Sequence, residues 1–372
     1  MSLDNIVKVT ITSQNLRMSQ AGFGTPLILA HHDYWDERVK TFGDISELTT
    51  KTEKYISSWL KENNLAHSTA NKPKEVPIPD KSSLYLAAQS LISQTPRVPK
   101  FKVGLRKATE SISAALDEVM RADIDGDFYG IVMFNEHGTN HAKLKEDIES
   151  LISVLKTKRL LAGVDLSKEQ FEALPKKEGK LDGLTSRRLF YLYRERDNEF
   201  PAAAWLGKML PMPPGSSSWA FKELDYITKS KLSTDLTEKL KRADINRHIF
   251  INDKGVTLDG KISSGEYIDI VHGIDWLHVR IQERIFRLLM LNGKIPYTAK
   301  GVDLIRSELL SQLNEAVGRG LLAPDPEPKV SIPDVNAIPS DIKEKRILPD
   351  VKFSARLAGA IHEIEINGTV SD

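Results

Sequence analysis

Strand-type and helix-type periodicity take turns along most of this chain, which limits it to sheets packed with helices. In "TPLILAHH", Leu27, Ile28 and Leu29 read as a buried strand. "FKVGLRK", "FYGIVMFN" and "RRLFYLYR" read as further strands, the second on its aromatic and β-branched content. Between them lie helical patterns. "ISELTTKTEKYISSWLKENN" places Tyr55 or Ile56 and Trp59 or Leu60 on its inner side. "KSSLYLAAQSLISQ", "ATESISAALDEVMRA" and "NHAKLKEDIESLISVLKTKR" follow, the last expected to end near Gly163. "FPAAAWLGKML" is a helix opened by Pro201 in its first turn.

The stretch "LPMPPGSSSW" cannot continue a helix and marks a loop or boundary. Beyond it, "STDLTEKLKRADINR" is a helix with Ser233 or Thr234 as N-cap, and "HIFINDKGVTLDGKI" gives two short strands around Asp253–Gly255. The longest helical signal is "GEYIDIVHGIDWLHVRIQERIFRLLMLN"; a second helix, "GVDLIRSELLSQLNEAVGRG", closes at Gly318 or Gly320. Six prolines between residues 324 and 349 then predict an extended, largely irregular crossing.

Both ends alternate. Val7, Val9 and Ile11 share one face of a short strand, with Lys8, Thr10 and Thr12 on the other. At the far end, His362, Ile364 and Ile366 would face one way and Glu363 and Glu365 the other. Such a strand either closes the protein's own sheet or enters another chain's. Gly22 and Gly24 give the first strand a flexible joint to the body. The resulting division is a strand arm over 1–21, a mixed α/β domain or domains over 22–210, an α+β domain with the Pro-rich crossing over 211–354, and a second strand arm over 355–372.

Composition narrows function mainly by exclusion. The 52 basic residues nearly cancel the 51 acidic ones, so the broad positive field of a general nucleic-acid binder is missing. No cysteine is present, which removes disulfides, thiolate metal sites and a cysteine nucleophile, and fits folding in a reducing cytosol or indifference to redox. "MSLDNIVKVTITSQ" has no signal-peptide pattern, and no apolar run is long enough for a membrane-spanning helix.

The candidates for chemistry are weak. Asp123, Asp125 and Asp127 alternate in "RADIDGDF", but an EF-hand loop starting at Asp123 would need Gly and Glu where Phe128 and Phe134 stand. An acidic helix-to-strand turn is the expectation. His137 and His141 with Glu136 lack the His-Glu-x-x-His order of a zinc-protease helix, and Thr139 or Asn140 is the expected cap of the following helix. His31, His32, Asp33 and Asp36 follow a buried strand, where α/β enzymes place catalytic loops, yet no nucleotide-cradling glycine loop accompanies them. "GFG" at residues 22–24 is neither a dinucleotide loop nor a P-loop, and the serines of "PPGSSSW" lack a nucleophile elbow. Trp219 beside them reads as a packing residue or an interface plug. No catalytic, cofactor or metal residue is assigned. On the long C-terminal helix, Arg280, Arg284 and Arg287 form a stripe opposite Ile281 and Ile285, either a solvated face or a dock for an acidic partner.

"ITSQNLRMSQAGFGTPLIL" at the front, "FSARLAGAIHEIEINGTV" at the back and the long helical stretch from "GEYIDIVHGIDW" to "TAKGV" together resemble bacteriophage contractile tail sheath proteins, in a divergent branch long known only as an uncharacterised phage family. The resemblance implies an α+β, multidomain mixed α/β body with N- and C-terminal β-strand arms that add to sheets of neighbouring subunits. It implies a structural, non-enzymatic subunit without cofactors, polymerising as stacked hexameric rings around a tail tube and contracting to drive the tube through the host envelope. Implied partners are other copies of the chain, the tube protein, and baseplate and tail terminator proteins, with no membrane or direct nucleic-acid contact. The implied places are the virion tail and, during assembly, the host cytoplasm. The arm residues would include Val7, Val9, Ile11, Ile361, Ile364 and Ile366, and the tube-facing candidates are Arg280, Arg284 and Arg287. The rival readings are another phage structural protein (baseplate or capsid) and an α/β hydrolase-type enzyme using the loop after Leu29.

Overall fold

A computed structural model describes residues 22–32, 34–48, 82–134 and 140–365. The N-terminal arm, the helix expected around Tyr55–Leu60 beyond its first turn, Asp33, His137 and Ile366 lie outside these residues.

The described chain is organised by one eight-stranded sheet. In chain order the strands of the structure are β1 (Thr25–His31), β2 (Val39–Phe42), β3 (Phe101–Arg106), β4 (Phe128–Met133), β5 (Leu161–Leu166), β6 (Lys176–Lys177), β7 (Lys180–Leu181), β8 (Leu189–Tyr193), β9 (Ile245–Ile251), β10 (Lys254–Leu258), β11 (Lys329–Ser331) and β12 (Lys352–Ser354). The large sheet runs β10-β9-β8-β5-β4-β1-β3-β2, parallel except at its two outer pairs, and β6-β7 and β11-β12 form separate two-stranded sheets. The helices are α1 (Ser83–Ile92), α2 (Ile112–Ala122), α3 (His141–Leu155), α4 (Lys168–Ala173), α5 (Pro201–Met209), α6 (Thr234–Arg242), α7 (Ile268–Leu291), α8 (Ala299–Gly318) and α9 (Ser340–Glu344).

Alternate side chains of the central strands feed two cores. Leu27 and Leu29 pack with α2, α3, α4 and α6, whereas Ile28 and Ala30 pack with α1, α5, α7 and α8 on the opposite face. A parallel sheet covered on both faces needs strands that are apolar on both sides, and the five central parallel strands β1, β3, β4, β5 and β8 are almost wholly buried. Local chemistry sets the helix starts. Side-chain oxygens of Ser82, Ser111, Ser167, Ser233 and Thr298 accept the exposed N–H groups of α1, α2, α4, α6 and α8.

One expectation needs correction. The helix expected to end near Gly163 stops at Leu155, and Gly163 lies inside β5. That strand was hidden by Gly163 and Asp165, which interrupt its apolar run. The ring of Phe190 occupies the space of the missing side chain, since a Cβ on Gly163 would stand 2.5 Å from it. The large sheet draws strands from both sides of residue 211, with β9 and β10 extending it from beyond that point. The last described strand is β12, paired with β11, whereas residues 361–365 form no strand.

Gly207 is where α5 meets the backbone of α1. A Cβ there would lie 1.9 Å from the Leu91 carbonyl oxygen, a contact no rotamer change relieves. Gly207→Ala should therefore destabilise the fold by at least about 1–3 kcal/mol in urea unfolding, despite the better helix propensity of alanine. Gly318→Ala in α8, where the added methyl meets nothing within 4 Å, should instead stabilise by up to about 1 kcal/mol.

Candidate assembly surface

The two longest helices form a hairpin rooted in the sheet. The first half of α7 is almost entirely buried, including Ile268, Val271, Trp276 and Val279, while its last turns project, with Met290 70% and Leu291 73% exposed. Close approach at the root is allowed by Gly273, whose Cβ would lie 2.3 Å from Leu321. The hairpin is laced by Arg284, which donates to Gln312 at 3.0 Å, Ser311 at 2.9 Å and Glu315 at 3.0 Å. Arg319 reaches Glu315 at 2.9 Å and stacks over Trp276 at 4.5 Å.

The arginine stripe read from the sequence thus divides. Arg284 is an interhelical brace and not a free surface charge, because α8 lies against that side of α7. Arg280 pairs with Glu283 on its own helix, and Arg287 is exposed. All three border a groove of about 650 Å3 between the helices, with Leu288, Leu291 and Glu308 on its walls. The arm candidates Ile361 and Ile364 are 81% and 75% exposed. The C-terminal segment crosses the hairpin's end through backbone bonds from Ala323 N–H to Arg356 O and from Ala358 N–H to Leu321 O, at 2.7 and 3.0 Å. Thereafter, through residue 365, it is in no ladder.

What joins the hairpin to the sheet is a buried ionic cluster that sequence reading missed. Asp275, fully buried on α7, accepts two hydrogen bonds from Arg188, one of them at 2.7 Å, another from Arg159 at 3.3 Å and one from the Tyr129 hydroxyl at 3.0 Å. Burial alone would push the Asp275 carboxyl up. The charges of Arg188 and Arg159, with the hydrogen bonds from Arg188 and Tyr129, overcome this and hold it below the ordinary carboxylate value. Tyr129 belongs to β4, Arg188 precedes β8 and Arg159 precedes β5, so one carboxylate on α7 gathers three parts of the sheet. An aspartate between Val271 and Trp276, on the buried stripe of an apolar helix, was the available signal.

Two more buried groups titrate in opposite senses. Asp165 accepts the Ala202 N–H at 2.7 Å at the start of α5, and burial pushes its carboxyl up to about 7. His272 stacks on Tyr129 with ring centroids 5.0 Å apart, and burial lowers it to about 4. A raised carboxyl binds a proton in the folded state that the unfolded chain has released, so its contribution falls as pH rises from about 4 to about 7. A depressed histidine stays neutral in the folded state while the unfolded chain protonates, so its contribution is lost as pH falls from about 6.5 to about 4. The two largely offset each other. Asp165→Asn should gain stability relative to the parent on going from pH 4 to pH 7, and His272→Gln should gain on going from pH 6.5 to pH 4. Each trend is on the order of 3–4 kcal/mol in urea midpoints converted at each pH.

Several of the remaining sequence candidates have structural partners. Lys102, fully buried, and Lys100 bring ammonium groups against the Asp123–Asp125–Asp127 cluster, with Lys100 Nζ 2.6 Å from Asp127. Lysine nitrogens thus lie where a cation would have to bind. His31 Nδ1 lies 3.0 Å from the Arg106 carbonyl, and His32 packs at 4.2 Å against Trp35, itself set against Phe42. Asn140 caps α3 through Lys143 N–H. Trp219 is a core residue whose carbonyl accepts from Trp205 Nε1 at 3.0 Å. No helix among the described residues is long and apolar enough to cross a membrane.

Residues 268–325, which hold α7, α8 and the turn after them, match the C-terminal domain of the E217 tail sheath protein gp31-like family. No curated protein sequence matches the chain. Its fold is similar to a chain of the anti-feeding prophage baseplate (TM-score 0.61, 13% identity, 98% of each chain covered). It is also similar to the sheath of PVC, an extracellular contractile injection system, in its contracted state (TM-score 0.60, 15% identity, 98% of this chain and 97% of that one). The contracted helical sheath of the anti-feeding prophage matches at TM-score 0.59 and 13% identity, covering 98% of this chain and all of that one. Residues 268–325, the rooted hairpin and the turn after it, thus match a tail-sheath C-terminal domain, and the fold of the chain is similar to that of contractile sheath subunits over nearly its whole length.

Proposed function

We propose that the chain is the structural subunit of a phage contractile tail sheath, assembling with copies of itself in stacked hexameric rings around a tail tube and next to a baseplate. The observation that carries the reading is the match of residues 268–325 to a tail-sheath domain, set in a body with the fold of sheath subunits. The projecting half of α7, with Arg280 and Arg287 beside the groove, faces the tube; the terminator protein would cap the last ring. The role is mechanical and not enzymatic. Contraction then needs no nucleotide: energy trapped when the extended lattice assembles is released as bodies shift between two packings.

The two arms complete the mesh. Val7, Val9 and Ile11 from one neighbour and Ile361, Ile364 and Ile366 from another add as strands to an acceptor sheet, the role suited to β11–β12. That pair is only three residues long on each side and has no further strand at either edge among the described residues, and a two-stranded sheet is marginal alone. Exposure of Ile361 and Ile364 supports the same reading. Purified protein, concentrated and viewed by negative-stain microscopy, should form striated tubes. A strictly monomeric species, both alone and with the tube protein added, would count against the proposal.

A further inference from the structure

We infer that His362 parks the C-terminal segment on its own subunit, withholding the arm until a stronger partner displaces it. This deepens the arm reading above and rests on it. From Ser354 to Glu365 every residue is exposed except His362. Its Nε2 lies 2.8 Å from Ser218 Oγ, and its ring packs edge-on against Phe221 and Tyr267 with centroids 5.6 and 5.0 Å away. Past the backbone bonds at Arg356 and Ala358, this side chain anchors a stretch whose apolar residues Ile361 and Ile364 stand in solvent.

The receiving site is built for the purpose. Phe221 has a φ of 59°, unusual for a bulky residue, and is held there by its N–H bonding to the Thr257 carbonyl at 2.7 Å on β10. Ser218 Oγ is oriented by the Ala220 N–H at 3.2 Å, and Tyr267 occupies the N-cap position of α7 without a side-chain capping bond. A polar atom and two aromatic rings thus converge on the single histidine of the arm.

The hold is weak by design. One hydrogen bond and two ring contacts are outcompeted by a strand ladder with several backbone bonds and buried isoleucines. Parking lowers the fraction of arms free to engage and so raises the concentration needed for assembly. It also keeps an alternating, half-apolar segment from pairing with exposed strand edges at random.

Because the chain has no cysteine, Thr369→Cys supplies a single site for a fluorescent label. In full-length protein carrying it, Ser218→Ala with Tyr267→Ala, which leaves the arm sequence intact, should shorten the local rotational correlation time of the label by about twofold or more. The critical concentration for polymers should fall by about threefold or more. His362→Ala, which lies on the exposed segment and so leaves the body folded, should free the label in the same way. Unchanged label motion in both variants overturns the parking, and freed motion in the Ser218→Ala, Tyr267→Ala protein with an unchanged or higher critical concentration overturns its control of assembly. Failure of the arm reading itself appears separately, as normal polymers from a chain ending before Ala360.

Discussion

Asp275→Ala is expected to destabilise the folded subunit by about 3–5 kcal/mol, a large share of the net stability of a typical protein. The loss comes less from missing attraction than from what is left behind. Arg188, with a side-chain exposure of 7%, would keep its buried charge without the carboxylate that accepts two of its hydrogen bonds, and Arg159, at 1%, would lose its pairing with Asp275. The diagnostic comparison is a triple replacement, Asp275→Leu with Arg188→Met and Arg159→Met. Removing every charge at once deletes the desolvation cost together with the attraction, so the triple variant should recover most of the stability lost by the single one. If equilibrium urea unfolding placed the triple variant at or below the single variant, the cluster would owe its importance to geometry that hydrophobic side chains cannot reproduce.

The second large effect concerns assembly. A chain lacking residues 360–372 should remain a folded monomer with the parent's thermal midpoint, yet fail to form long polymers at concentrations where the parent assembles. Of the deleted residues that the structure describes, 360–365, all but His362 are exposed, so the body loses no described core residue. What disappears is the intersubunit joint: several ladder hydrogen bonds at about 1 kcal/mol each and the burial of isoleucines at about 1.5–3 kcal/mol each, offset by the ordering of the arm. A net joint of a few kcal/mol, repeated at every subunit, separates a polymer from a dilute solution. Sedimentation velocity and electron microscopy of the same sample distinguish loss of assembly from loss of fold. Long tubes of normal length from the shortened chain would remove the arm from the mechanism.

The sequence made most of the fold legible where one physical rule dominated. β4 announced itself by Tyr129, Ile131 and Val132, α5 by Pro201 in its first turn, and α7 by 24 residues of helical periodicity. β5 was invisible because its aspartate serves a tertiary purpose, capping α5 from a distant strand, and no local pattern encodes that. The acidic run Asp123–Asp127 was correctly read as a turn, although the lysines that neutralise it come from β3 and the residue before it, about 20 positions away in sequence. The arginines of α7 could be placed on a face but not assigned. Whether Arg284 meets solvent or α8 depends on how the hairpin closes, which is a property of the pair of helices. The cluster at Asp275 lay furthest from reach, since its partners sit 87, 116 and 146 positions away.

The central claim is that chain ends cross between subunits and hold the lattice together through the stroke. A cryo-electron microscopy map of the assembled polymer, traced from residue 1 to residue 372, addresses it directly. The account predicts that Val7–Ile11 and Ile361–Ile366 of different chains lie in backbone register with β11–β12 of a third. A map in which both ends return to the sheet of their own subunit would contradict it.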